Sequence, residues 1–292
     1  HMTKAGWTLD DIAWERFDSS KVDQNVLMAV KAASVVEYNA PDYVGYLKAV
    51  FPGDPELHET FEQWGREETQ HGDALARWVK LADPSFDFEK TFAAFRAGYT
   101  PPHFESSAGS VRGSRRGELI ARCVVESGTT SYYSALRDAT VEPVLKQVVS
   151  HIAGDEMRHW KLFYDLQQAQ PELSFWRKLK IAAGRLGEAE DDELAYAYYC
   201  ANTPIERIGI DPYDRKACAK AYETRLLRVW RPQHLQRAIG MVAVAIGMKP
   251  RGWIARGASK LIWTAVKFKN RHAMKAEARA AGRGGVPMAR AA

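Results

Sequence analysis

Six residues of this chain have the types and spacing to grip metal ions. Glu67-Glu68-Thr69-Gln70-His71 and Asp155-Glu156-Met157-Arg158-His159 each hold an acid pair followed by a histidine. On a helix, positions i and i+3 share a face about one turn apart, so Glu68 with His71 and Glu156 with His159 can each hold one cation. A further glutamate precedes each pair, Glu37 by 31 residues before Glu68 and Glu126 by 30 before Glu156. These two lie inside Ala-Ser-Val-Val-Glu-Tyr and Arg-Cys-Val-Val-Glu-Ser. A lone carboxylate on an apolar face is costly unless it is paired or metal-bound.

A single Glu-x-x-His is a weak signal, because such surface pairs are common. Glu, about thirty residues, then Glu-x-x-His, occurring twice, is a strong one. It is the ligand set of a carboxylate-bridged pair of metals held between four helices. Carboxylate oxygens with two imidazoles and no thiolate suit iron or manganese better than zinc or copper.

Four helices must position these groups. The first should span about residues 22–50, with Val26, Val30, Ala33 and Glu37 at spacings of three and four, and with Pro41 bending or splitting it. Phe51-Pro52-Gly53-Asp54-Pro55 breaks the chain, and Asp54 can cap a second helix with Pro55 at its first position. That helix should run to about Asp83 before Pro84. Residues 84–113 read as a long crossover, with Phe86, Phe88, Phe92 and Phe95, then Pro101 and Pro102, and a Gly/Ser-rich run over 106–114; a short helix fits inside it. Ser114 can cap a third helix reaching about Thr140, and Glu142-Pro143 opens a fourth ending near Gln170. Hairpin, long crossover, hairpin is the order of a ferritin-like bundle. The expected fold is therefore all-α, a ferritin-like four-helix bundle with a di-metal centre plus additional C-terminal helices.

The rest of the chain frames that bundle. Residues 1–21 form an N-terminal arm; His1-Met2 resembles a cloning remnant, and Trp7, Leu9, Ile12, Trp14 and Phe17 are available for packing. The bundle occupies 22–203, with 175–199 as one or two helices broken near Gly184 and Gly187. Residues 204–292 form a basic helical extension, with pieces near 213–230, 233–248 and 252–280 and a mobile Gly/Arg/Ala/Pro-rich end.

The 292 residues, 46% of them hydrophobic, can bury a sizeable core. The net charge of +5 is unevenly spread: residues 205–292 carry 19 Lys+Arg against 5 Asp+Glu, whereas the preceding 204 carry 22 against 31. Cys123, Cys200 and Cys218 make no disulfide framework and no Cys-x-x-Cys pair. No signal peptide is visible, and no apolar run approaches the roughly 20 residues that span a bilayer. The expected compartment is the cytoplasm, with a position peripheral to the membrane also open.

Glu-Glu-Thr-Gln-His-Gly (67–72) and Asp-Glu-Met-Arg-His (155–159) resemble the paired iron-binding motifs of soluble acyl-carrier-protein desaturases. More generally they are similar to those of the di-iron oxygenase, desaturase and ribonucleotide-reductase small-subunit group. The resemblance covers about residues 22–170. It implies that Glu37, Glu68 and His71 bind one iron and Glu126, Glu156 and His159 the other, with Glu68 and Glu156 bridging; a Mn/Fe pair uses the same set. It also implies that Asp155 crosses over to orient His71 and that Glu67 orients His159, the imidazole nitrogen off the metal donating to a carboxylate. Arg158 can balance the negative charge. The plainer reading of Glu67 and Asp155 is as ordinary surface acids.

The resemblance also narrows the chemistry. The radical tyrosine of the reductase subunits normally stands four residues after the first histidine, and that position is Leu75, which disfavours nucleotide reduction. Oxygenases and desaturases place a threonine three or four residues after the third-helix Glu, where Thr129 and Thr130 stand. Such a hydroxyl can relay a proton toward bound dioxygen, or merely bond a carbonyl one turn back. The expected activity is O2-dependent desaturation or hydroxylation of an unactivated C–H bond, with a fatty acyl or lipid-like substrate, two Fe ions and O2 as co-substrate. A ferredoxin-like electron donor is implied, and the basic extension can receive acyl carrier protein.

Two other readings stand beside it. One is a ferroxidase or iron-handling protein using the same centre. In the other, Trp253, Ile254, Leu261, Ile262, Trp263, Val266 and Phe268, interleaved with Arg256, Lys260, Lys267 and Lys269, form an interfacial helix on an anionic membrane, as would suit a quinone hydroxylase. The same basic residues would serve a hydroxylase of transfer RNA, although nucleic acid is disfavoured as a partner. An ordinary helix packed on the bundle is the plainer reading of this segment. A homodimer is compatible with the sequence.

Overall fold

The computed structural model describes residues 6–99, 109–188 and 192–283, with side chains of the last helix as far as Lys269. Among them every named element is helical, apart from one isolated bridge between Ile208 and Asp211. His1-Met2, Pro101-Pro102, residues 106–108 of the Gly/Ser-rich run and the Gly/Arg/Ala/Pro-rich end lie outside the described residues.

The helix starts follow the capping signals. α1 (Gln24–Tyr38) begins after Asp23, whose carboxylate accepts from the Asn25 and Val26 amides at 2.7 and 3.1 Å. Of the two outcomes open at Pro41, the split is the one found: the backbone turns at Asn39, and Pro41 sits in the first turn of α2 (Ala40–Val50), where its missing N–H costs nothing. α3 (Pro55–Ala82) is capped by Asp54. α4 (Phe88–Gly98) lies inside the long connection. α5 (Arg115–Ala139) starts at Ser114, whose Oγ accepts from Gly117 N at 3.1 Å. α6 (Pro143–Gln168) starts at Glu142.

Glu142 is both cap and junction. Its buried carboxylate accepts from the Leu145 amide and from Trp78 Nε1, each at 2.7 Å, and from the Asp18 amide at 3.1 Å. It thereby ties α6 to α3 and to the N-terminal arm. The arm itself is three short 3-10 turns that lie along α6, with Trp7 and Ile12 buried and Gln147 bonding the backbone of Ala13 and Asp11.

α1, α3, α5 and α6 pack side by side, α1 chiefly on α3 and α5 on α6. Apolar residues fill this assembly in two clusters, one on either side of a charged layer. Toward one end lie Val30, Leu75, Trp78, Leu136, Val148 and Ile152; toward the other lie Leu47, Phe51, Phe61, Leu119, Cys123 and Phe163. The layer between them carries Glu68, His71, Glu126, Glu156 and His159. Burial of the flanking apolar groups, worth roughly 1.5–3 kcal/mol per large side chain, holds those charged groups together.

The later helices pack on the same frame. α7 (Phe175–Gly187) lies on α5, and α8 (Asp192–Asn202) lies on α1, where Asn202 Nδ2 donates to Met28 O at 3.1 Å. α9 (Arg215–Val229) packs on α8, and α10 (Pro232–Ala245) covers α5, where Ser131 Oγ donates to His234 O at 3.0 Å. α11 (Trp253–Arg283) rests on α10 and α9 through Ala255, Ser259 and Val266, which leaves Trp253, Leu261 and Phe268 exposed. No helix among the described residues is long and apolar enough to cross a membrane.

Candidate metal centre

Glu37 stands in the last turn of α1, Glu68 and His71 in the middle of α3, Glu126 in the middle of α5, and Glu156 and His159 in the middle of α6. The fold brings all six together. Ligand-type atoms of Glu37, Glu68, His71 and Glu156 lie within 4.8 Å of one another, and so do those of Glu68, Glu126, Glu156 and His159. Glu68 and Glu156 belong to both groups. Glu68 directs Oε2 to His71 Nδ1 at 3.2 Å and Oε1 to His159 Nδ1 at 3.0 Å. Glu156 Oε1 lies 3.3 Å from His71 Nδ1.

These contacts have the shape of a ligand shell. His159 Nδ1 and Glu156 Oε1 are buried and make no aligned hydrogen bond, despite polar neighbours at 3.0 and 3.3 Å. Two ligand atoms about 2.1 Å from one cation and at right angles are about 3 Å apart and aim at the cation instead of at each other. Carboxylates bridging two imidazole-bearing positions also match the donor preference of iron or manganese. The residues fit two cations, one in each group.

The opposite edge of each imidazole is held by the other motif. His71 Nε2 lies 3.0 Å from Asp155 Oδ2, and His159 Nε2 lies 2.9 Å from Glu67 Oε2. Each carboxylate thus crosses between α3 and α6 and fixes ring angle and tautomer. Glu67 and Asp155 are buried, not the ordinary surface acids of the plainer reading. Arg158 joins them, its Nη2 lying 2.5 Å from Asp155 Oδ1 and 3.2 Å from Glu67 Oε2.

Three contacts around the site were not read from the sequence. Trp7 Nε1 donates to Asp155 Oδ2 at 2.8 Å, and its ring stacks on His71 with an interplanar angle of 5°. Tyr133 donates its hydroxyl to Glu37 Oε1. Gln63 Nε2 donates to Glu67 Oε1 at 2.8 Å. Tyr133 lies seven residues after Glu126, two turns along one helix face, which was the one available signal. Nothing in the sequence ties Trp7 to a residue 148 positions away.

The two threonines separate. The Thr129 hydroxyl reaches Glu156 Oε2 and lies 3.3 Å from Glu126 O, so it has both the site contact and the carbonyl one turn back. Thr130 is buried, and its Oγ1 has no hydrogen-bond partner among the described residues. Leu75 is fully buried in the apolar cluster.

As protein groups alone, the cluster holds protons. Burial pushes the Glu37 and Glu126 carboxyls well above the usual range, and the charges of Glu68 and Glu156 add to the push. Burial also opposes charge on Glu68, but His159 and His71 outweigh it and hold this carboxyl well below its usual value. Burial likewise opposes protonation of the histidines; Asp155, Glu156 and Glu68 nevertheless carry His71 well above its usual value, and Glu68 and Glu67 bring His159 to about 9. Asp155, against its burial, is brought down to about 2 by His71, Arg158 and Trp7.

A cavity of about 1720 Å³ opens on the cluster. Glu37, Glu68, Glu126, Glu156 and Thr129 line its inner end beside Val36, Ala40, Trp64, Val124 and Val125. Its mouth lies between α7 and α9, where Leu186, Lys216 and Lys220 line it and are exposed. Neither the protein-family models nor the curated proteins compared with this chain give a match. The functional reading therefore rests on the site itself.

Proposed function

We propose that the chain is a ferritin-like, four-helix di-iron oxidase that desaturates or hydroxylates an unactivated C–H bond of a fatty acyl or lipid-like substrate. The observation that carries this reading is the shared position of Glu68 and Glu156 in both metal-binding groups, at the end of a large cavity. Glu37, Glu68 and His71 would hold one ion and Glu126, Glu156 and His159 the other. Bound there, an iron pair supplies the dioxygen reduction and oxidising power that no side chain has.

The remaining tasks fall to the protein. Asp155 and Glu67 keep Nδ1 of each imidazole turned inward. The Thr129 hydroxyl stands between Glu156 and the cavity, where it can hold or pass a proton to a molecule bound there. Val36, Ala40, Val124 and Val125 give the inner end an apolar wall that excludes water from an alkyl chain.

A ferroxidase would use the same six residues with no organic substrate. That reading calls for a polar, carboxylate-lined entrance. Glu188, Glu193, Asp214 and Glu223 line the cavity away from the cluster together with Lys216 and Lys220, so the entrance is charged with both signs; what favours an organic substrate is the apolar wall beside the cluster and the size of the cavity. The deciding experiment supplies iron-loaded protein with a reductant, O2 and the lipids that co-purify with it. We expect a product lacking two hydrogens or carrying one added oxygen. Oxygen consumed only in oxidising ferrous ion, with every lipid unchanged, would make the protein a ferroxidase.

A further inference from the structure

Arg122 is a cation on the cavity wall close to the cluster, and its charge acts on Glu126. It stands one turn before Glu126 on α5 and is 8% exposed, and it lines the cavity. Its guanidinium lies 4.9 Å from the Tyr43 ring centroid and 5.3 Å from that of Trp64. These rings hold it in place, and the Tyr43 hydroxyl itself donates to Glu193. No hydrogen bond or ion pair to Arg122 is formed among the described residues.

Its neighbours are treated differently. Arg115 Nε donates to Val50 O at 3.2 Å, Arg116 Nη1 to Gln170 O at 2.8 Å, and Arg112 Nη1 to Glu188 Oε1 at 2.6 Å. The Arg122 nitrogens, in contrast, are not sealed among side chains but open to the cavity, so their donors are offered to whatever fills it. The planar fork of N–H groups matches a carboxylate in a two-point contact.

We propose that Arg122 anchors the carboxylate of a free organic acid whose apolar body lies in the cavity. The inference rests on the oxidase reading above and sharpens its substrate class. The Cβ atoms of Arg122 and Glu126 are about 6 Å apart along one helix face. An acid held by Arg122 therefore has its apolar body in the same cavity that Glu126 lines. A carrier-bound thioester has no carboxylate to offer, so the free acid, not the carrier conjugate, is the substrate form this site recognises.

The test is calorimetric titration of the purified protein with decanoate, decanol and methyl decanoate, in the wild type and in Arg122→Met and Arg122→Lys. The wild type should bind decanoate about tenfold or more tighter than the two neutral probes. Arg122→Met should lose that preference while keeping its affinity for decanol, which also shows that the cavity is intact. Arg122→Lys, with charge but no fork, should fall between them. Equal binding of the three probes by the wild type would overturn the proposal without recourse to any variant. A preference for decanoate that survives in Arg122→Met would also overturn it, since the anion would then be held elsewhere. Decanoate bound through Arg122 but returned unoxidised would count against the oxidase reading alone. Oxidation of neutral lipids with no preference for acids would count against Arg122 alone.

Discussion

His159 Nδ1 stands 3.0 Å from Glu68 Oε1 and is aligned with no hydrogen-bond partner. A buried imidazole nitrogen and a buried carboxylate at that distance would ordinarily turn toward each other. Here Nε2 of the same ring is committed to Glu67 at 2.9 Å, which sets the ring angle and leaves Nδ1 without an aligned bond to Glu68. The ring cannot satisfy Glu67 and also rotate toward Glu68. This relationship between α3 and α6 is what a cation would complete.

The crossed carboxylates should act on the metal through the histidines. Asp155→Asn keeps the shape but replaces an acceptor with an amide that can point the wrong face at His71, and Glu67→Gln does the same at His159. Each should weaken metal binding roughly 10–100-fold. The check is competition with a chelator of known affinity, with circular dichroism confirming that helix content is unchanged. Wild-type affinity in both variants would remove Asp155 and Glu67 from the site.

Gly72 follows His71 on α3 and permits a close helix contact. A Cβ there would lie 2.7 Å from Tyr38 N and 2.9 Å from Tyr38 Cα, both backbone atoms of α1, which cannot swing aside. Tyr38 is the neighbour of Glu37, so Gly72→Ala should push Glu37 away from the cluster. Overpacking of this kind costs about 1–3 kcal/mol. Thermal unfolding should show that loss together with weaker metal binding, whereas Gly128→Ala, with nothing within 4 Å, should show neither.

The threonines make a paired test. Thr130→Val removes a buried hydroxyl with no partner, so stability should hold or rise slightly. Thr129→Val removes the contact to Glu156 and should lower turnover, with Thr129→Ser restoring much of it. Equal turnover in the two valine variants would return Thr129 to the role of a helix residue bonding its own backbone.

The protonation of the cluster fixes a pH dependence with a definite sign. His159 has its folded-state pKa raised from 6.5 to about 9, and His71 is raised as well. Raised histidines stabilise the metal-free fold fully below about 6.5 and cease to do so as pH climbs through about 9. Glu37 and Glu126, also raised, act in the same direction. Scanning calorimetry of metal-stripped protein should therefore show the melting temperature falling between these pH values. Metal needs neutral imidazoles and charged carboxylates, so its uptake expels protons and its affinity should fall as pH is lowered. A pH-independent affinity would contradict the placement of both histidines.

Much of this was legible in the sequence, for a physical reason. Helix starts at Pro55, Arg115 and Pro143 are written within one turn by Asp54, Ser114 and Glu142. Spacing along each helix likewise puts Glu68 with His71 and Glu156 with His159. The split at Asn39 was less clear, because Pro41 is equally at home in a kink and in a new first turn. Contacts between distant segments left no local trace: Trp7 on Asp155, α10 over α5, and the close approach at Gly72 all depend on where other helices lie. Tyr133 and Arg122 were hidden differently. A tyrosine or arginine within an apolar helix face most often packs or pairs; the bond to Glu37 sets Tyr133 apart, and the cavity sets Arg122 apart.

The most direct measurement is the metal content of the chain, by elemental analysis of protein produced with ample iron. The account predicts two ions per chain, one for each group of ligand atoms, with clear loss of metal in Glu126→Ala. A small fraction of an ion per chain, unchanged by Glu126→Ala, would contradict it.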